Sequence, residues 1–287
     1  MMYIVLAACS SAALTLVLKW FRDPKGTRYG LLLGNYLTCT LIAFIQMPGK
    51  DRFYQAAPST LLMSVISGFL YVAGLVTMQS SVRLNGAALS SAFSKLGILI
   101  PLLMSFLIFG ETPTWYQAAG LLLSLAAIGV LNFTGVKTEN GREKQSRAAL
   151  TILLLTLLAC GGSEGMAKVF ERLGDPKEDT RYFFFLFLTA ALLTAALAVA
   201  EMRKNGKKIR PGELAAGVLA GIPNYFSSYF LLKALNSLPA ILTYPSFSVG
   251  TILMVTAAGA LLFGEKLSRR QWTGLGLILT ALVLLNL

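Results

Sequence analysis

Two ionisable side chains stand one helical turn apart inside a long apolar run, Glu164 and Lys168 in LACGGSEGMAKVFER. Residues four apart share a helical face. In an apolar setting such groups are costly and are candidates for function. Glu164 can take up a proton or hold a cationic substrate group, with Lys168 as its partner when the site is empty. The plainer reading is a permanent ion pair that makes both charges tolerable. Lys95 is a second cation within an apolar run, with Ser91 and Ser94 on the same face and Ser105 continuing the stripe. It can hold a carboxylate or phosphate, or its long stem can reach the nearer surface. GIPNYFSSYFLLK places Asn224 and Ser228 on one face and Tyr225 and Tyr229 on the next, and Tyr244 precedes Pro245. With Tyr71 and Phe93 these tyrosines can line an aromatic pocket, which stacks flat rings or holds quaternary ammonium groups. Pro223 removes one backbone hydrogen bond from its helix. Asn35 and Thr38 complete the polar set. Lys19 and Lys233 stand at the ends of apolar runs and read as snorkelling cations.

Much other chemistry is excluded by residue type. The chain has no His, which removes Ser-His-Asp hydrolysis and most zinc chemistry. Its four Asp residues (Asp23, Asp51, Asp175, Asp179) form no DxD cluster for Mg2+, and no GxxxxGK[ST] signature for nucleotide hydrolysis is present. The three cysteines (Cys9, Cys39, Cys160) lie singly in apolar runs and read as small core residues. No metal or cofactor is expected. A membrane-embedded transferase would need a paired acid–base or metal cluster that the sequence does not offer.

The elements that must carry these residues follow from composition. The 287-residue chain is 55% hydrophobic and 13% charged, with mean hydropathy +0.67. A soluble domain carries about 25% charged residues. Apolar runs at 3–20, 28–47, 59–82, 86–110, 113–133, 148–172, 181–201, 211–235, 239–263 and 269–287 are long enough to cross a bilayer. Helices are required because lipid offers no partner to open backbone groups. Gly30/Gly34, Gly161/Gly165 and Gly217/Gly221 have the spacing of close helix packing. The long polar stretch Lys137–Arg147 divides the chain.

That division is also a repeat boundary. FGETPTWYQAAGLLLSLAAIGVLNF (109–133) aligns without gaps on FGEKLSRRQWTGLGLILTALVLLNL (263–287), with 11 identities in 25 positions at an offset of 154. The same offset pairs Tyr71 with Tyr225, and Ala92-Phe93-Ser94 with Ser246-Phe247-Ser248. Asp23-Pro24-Lys25 matches Asp175-Pro176-Lys177 at an offset of 152. The expected domains are a five-helix repeat at 1–135, a polar linker at 136–147 and a second five-helix repeat at 148–287. Five is odd, so the second copy enters the membrane from the opposite side. The expected fold is an all-α integral membrane protein of ten transmembrane helices, two inverted five-helix repeats around a central cavity. Glu111 and Glu265, at helix–helix turns, read as caps on the amides of the following helix.

Each half resembles one EamA unit of the drug/metabolite transporter superfamily. The likeness is carried by Tyr71 and Tyr225 in the third helix of each half, Pro101 in a small-residue helix, Gly110-Glu111 and Gly264-Glu265 at the next turn, and Gln and Gly in the last helix. Val255 stands opposite Pro101, with Pro239 and Pro245 earlier, so the two halves are expected to bend differently. The resemblance implies a ten-helix, single-chain secondary transporter of small metabolites. One buried acid within an inverted repeat points to alternating access coupled to protons or exchange, and a cavity holding both Lys95 and Glu164 would suit a small polar metabolite, amino acid-like or related; the chain is expected to work as a monomer. An exporter of organic cations through an aromatic cage is the alternative. A channel would show repeated polar rings, and no pair of spans does.

Net charge is +12, but the basic residues lie in short inter-helix loops, which argues for membrane orientation rather than nucleic acid. Sixteen of the 25 Lys and Arg fall in odd-numbered loops and five in even-numbered ones. The positive-inside rule puts the odd loops in the cytoplasm of a multi-pass cell-membrane protein. The partners expected are therefore the lipid bilayer and a small-molecule substrate.

Overall fold

The computed structural model describes residues 1–20, 29–49, 55–85, 90, 93–94, 96–132, 147–206, 208–263 and 269–285. Ten α-helices occur among them: α1 Met2–Trp20, α2 Gly30–Gln46, α3 Pro58–Asn85, α4 Leu99–Leu107, α5 Trp115–Asn132, α6 Arg147–Leu173, α7 Asp179–Asn205, α8 Pro211–Leu235, α9 Ala240–Phe263 and α10 Arg269–Leu285. Four stretches are long and apolar enough to cross a membrane by length and composition: Pro58–Ser81, Ala148–Leu173, Pro176–Lys204 and Ala240–Ala258. On α2 the apolar Leu37, Leu41 and Ile45 are exposed while Gly34, Asn35, Thr38 and Cys39 are buried. A helix with its greasy face outward and its polar face inward is built for lipid.

Helix ends follow local chemistry. Asp175 accepts a hydrogen bond from Lys177 N at 2.9 Å and Pro176 opens the short turn before α7. Gly206, with φ of 65°, ends α7 in the left-handed conformation. Sequence expectation and structure differ in the fourth run. Its helix is interrupted by a turn at Gly97 and Ile98 and restarts as α4. Pro101 thus lies in a first turn, where its missing N–H breaks no helical bond. The interruption coincides with the tightest packing there: a methyl built on Gly97 would lie 2.8 Å from Gly161 N.

The chain forms two compact units. The first comprises Met1–Val72 and Val169–Asn236, the second Ala73–Lys168 and Ser237–Leu287, so the boundaries fall inside α3 and α6. In the first unit α8 packs on α1 and α2, and α2 packs on α7. The α2–α8 seam is made by glycine: a methyl on Gly221 would lie 2.6 Å from Asn35 O, and one on Gly217 2.8 Å from Asn35 N. In α3, Gly68 abuts Leu186 and Thr189 of α7 in the same way. In the second unit α5 packs along α10, Gly165 of α6 lies against Met104 and Ile100, and Val249 is enclosed by Ile252, Leu253 and Leu277. Cys39 is buried, Cys160 half-buried and Cys9 exposed. Cys9 therefore departs from the core reading, because its face of α1 is not covered.

Candidate functional site

Within the first unit the glycine seam brings two amides together. Asn224 Nδ2 donates to Asn35 Oδ1 at 2.8 Å, and both residues are buried. Cys39 Sγ approaches the same Oδ1 at 3.4 Å and Gly221 O at 3.3 Å. Tyr71 and Ser228 join hydroxyls at 3.0 Å, and Tyr225 Oη donates to Gln46 Oε1 at 2.9 Å. Rings fill the space between these polar atoms. Tyr36 meets Tyr71 edge-on and Phe187 nearly face-on, both with centroids 6.3 Å apart. Tyr225 stacks on Tyr229 at 6.0 Å, and Phe183 touches both tyrosines. Asn35 and Asn224 satisfy each other and hold α2 to α8. Tyr71, Ser228 and Tyr229 are partly exposed and Gln46 is exposed.

Lys233 closes this cluster rather than snorkelling. Its ammonium lies 2.7 Å from Asp179 Oδ2 and 5.5 Å from the centroid of Tyr229. The lysine stays because a buried carboxylate at the start of α7 holds it. The seat over Tyr229 that an organic cation would take is thus filled by a side chain of the protein.

Within the second unit Lys168 is buried and pairs with Glu111 Oε1 at 2.6 Å. Its ammonium also lies 5.9 Å from the centroid of Phe109. Glu111 Oε2 accepts from Ala240 N at 2.9 Å. The glutamate does cap a helix amide, that of Ala240 at the start of α9. The turn explains this: Gly110 has φ of 68°, Glu111 N donates to Ser105 O at 2.9 Å, and the side chain is sent back to α6 and α9. Tyr244 Oη donates to the backbone carbonyl of Glu164 at 2.7 Å. Ser94 Oγ donates to Cys160 Sγ at 3.3 Å.

Of the residues singled out from sequence, Asn35, Tyr71, Asn224, Tyr225 and Tyr229 share the first unit, while Ser94, Glu164, Lys168 and Tyr244 fall in the second. Ser91, Lys95, Asp23-Pro24-Lys25, Gly264-Glu265 and the polar segment 137–146 lie outside the described residues, as does the side chain of Lys19. Residues that sequence reasoning passed over are Tyr36, Phe183 and Phe187, Gln46, Asp179 as the partner of Lys233, and Glu111 as the partner of Lys168. Among the described residues no group of three His, Cys, Asp or Glu is placed to hold a metal.

An all-helical chain with bilayer-length apolar helices, an outward apolar face and polar side chains turned inward defines a membrane transporter when joined to what it resembles. The model of the EamA-like transporter family matches residues 1–133 and 148–287, and the chain belongs to that family. A Haemophilus influenzae protein of uncharacterised role is 24% identical over 97% of this chain and 95% of its own length. The probable glucose uptake protein GlcU of Staphylococcus aureus is 25% identical over 91% of this chain and 90% of its own. Its Staphylococcus epidermidis counterpart is also 25% identical. A crystal structure at 18% identity covers 99% of this chain and 94% of that one with a TM-score of 0.74, which shows a shared fold.

Proposed function

We propose that this protein is a secondary active transporter that moves a small polar metabolite across the cell membrane by alternating access, driven by protons or by exchange. The reading has two inverted five-helix repeats forming the transport path, with the odd loops cytoplasmic. Within the small-metabolite class the neutral cluster of the first unit favours an uncharged polyhydroxylated substrate of the hexose type. Amides and hydroxyls that both donate and accept match a sugar's hydroxyl groups, and ring faces match its C–H faces. The staphylococcal relatives, named as probable glucose uptake proteins, support the same choice. An amino acid-like substrate would draw on Lys95 with Glu164; Lys168, the cation one turn from Glu164, already directs its charge to Glu111. The organic-cation reading is weakened by Lys233 over Tyr229.

The observation that carries the proposal is the uncharged Asn–Tyr–Ser cluster in a chain of this family. The test is uptake into proteoliposomes of radiolabelled glucose, serine and methyl viologen. Glucose uptake, with little of the other two, is expected; serine or methyl viologen uptake alone would replace the hexose reading. Glu164 is the proposed coupling acid. Uptake by Glu164→Gln should lose its response to an imposed proton gradient, and an unaltered response removes Glu164 from that role. Reporter fusions to the termini check the orientation, and reporters read as cytoplasmic would reverse it.

A further inference from the structure

Three contacts in the second unit, joined by one turn each of α6 and α9, close into a ring. Glu111 Oε1 meets Lys168 Nζ. One turn back along α6, the carbonyl of Glu164 receives the hydroxyl of Tyr244. One turn back along α9 from Tyr244 is Ala240, whose N–H returns to Glu111 Oε2. Two rungs therefore tie α6 to α9, one direct and one through a glutamate that belongs to neither helix. The direct rung uses a backbone carbonyl, so it fixes the height of α9 along α6 and not a particular side chain. The glutamate rung adds the start of α9, whose first amides carry the positive end of the helix dipole. Its carboxylate thus faces an ammonium on one oxygen and a helix N-terminus on the other. Lys168 has 1% and Glu111 9% of its side-chain surface exposed, so this charge is held where water does not screen it.

We infer that Glu111 is a positioning residue of the transport cycle: it keeps α6 and α9 in one register so that they move as a single piece. This rests on the transporter reading. The proposal is specific about kinetics. Loosening the ring should slow the conformational step and leave substrate affinity alone, because none of the three contacts uses the neutral cluster of the first unit.

The test uses the full chain in proteoliposomes with radiolabelled glucose. Glu111→Gln alone takes the carboxylate away from a buried ammonium and is expected to fold poorly. Glu111→Gln with Lys168→Met removes both charges while the amide oxygen still accepts from Ala240 N–H, so folding should recover. In that double variant Vmax should fall about tenfold with KM within about twofold of wild type, as for an impaired gating step. Tyr244→Phe cuts the second rung without touching a charge and should show the same split in smaller measure. Hydrogen exchange at residues 240–244 should quicken in both variants. A folded double variant with wild-type Vmax, or a change confined to KM, overturns the proposal. If the double variant does not fold, Tyr244→Phe decides: an unaltered Vmax overturns it. A folded wild type that takes up none of the three probes refutes the transporter reading and this proposal with it.

Discussion

Replacing Gly217 with alanine tests whether the first unit is held by backbone proximity or by its polar bonds. The added methyl would sit 2.8 Å from both Asn35 N and Gly34 Cα, and closer still to Leu31 O. All three are backbone atoms and cannot swing aside. Ordinary contact begins near 3.4 Å, so α2 and α8 must part by roughly 0.6 Å or more, the overpacking case that costs about 1–3 kcal/mol. The same displacement stretches the Asn224–Asn35 bond from 2.8 Å to roughly 3.4 Å, the edge of hydrogen bonding. An interhelical bond of that kind contributes about 0.6 kcal/mol on average in membrane proteins. The sum is about 2–4 kcal/mol, or a fall in Tm of roughly 4–12 °C at this chain length. Asn224→Leu removes the bond while leaving the glycine contacts, and should cost about 2 °C or less. The assay is thermal unfolding in detergent followed by size-exclusion chromatography, with both variants beside wild type. An unaltered Tm for Gly217→Ala, or a larger loss for Asn224→Leu, refutes the reasoning.

Gly110→Ala should lose about 1–2 kcal/mol, the cost of a left-handed backbone for an L side chain, since nothing stands within 4 Å of the added methyl. Gly110→Asn should lose less, because Asn tolerates that conformation, and the order of the two melting temperatures checks it. Lys233→Met leaves the buried Asp179 carboxylate without its ammonium and should cost about 1–3 kcal/mol, less than for a fully buried pair because Lys233 remains 30% exposed. Adding Asp179→Asn should recover most of that loss, and failure to recover would mean that Lys233 acts through packing on Tyr229 instead.

The apolar runs were legible because bilayer length and helix are coupled, and their limits match the helices within a few residues almost throughout. The break at Gly97 was not legible. It answers to Gly161, 64 positions away, and no local signal names a packing partner. Lys168 was read against Glu164 because they share a helical face, the neighbour a sequence can show. The ion pair in the structure is with Glu111, 57 residues earlier. A clue did exist: Gly-Glu recurs at equivalent sequence positions in both halves, and at Gly110 the glycine allows the reversal that sends the acid back. Asp179 and Lys233 each looked like an ordinary charge near a helix end, and their pairing depends on how α7 meets α8. Phe183 and Phe187 were indistinguishable from lipid-facing phenylalanines until the helix faces were known.

The repeat itself separates scaffold from specialisation. At the 154-residue offset the two copies keep Gly110-Glu111 with Gly264-Glu265, Gln117 with Gln271, and Tyr71 with Tyr225. Several of the other polar residues do not recur. Near the starts of the halves, where the offset is 152, Leu16 stands opposite Lys168 and Ala12 opposite Glu164; at 154, Leu70 stands opposite Asn224 and Gln79 opposite Lys233. A duplicated bundle needs its turn and packing residues twice, because both copies must fold by the same rules. It needs a charge pair or an amide bond only where one is used, and each buried charge without a partner is destabilising. The first copy has no lysine at the position equivalent to Lys168, so the Glu111–Lys168 pair has no counterpart in the repeat. Lys168 and both members of the Asn35–Asn224 pair are residues that the repeat does not preserve. Substrate choice and coupling are then expected to track these single-copy residues, while the shared Gly-Glu turns set the fold.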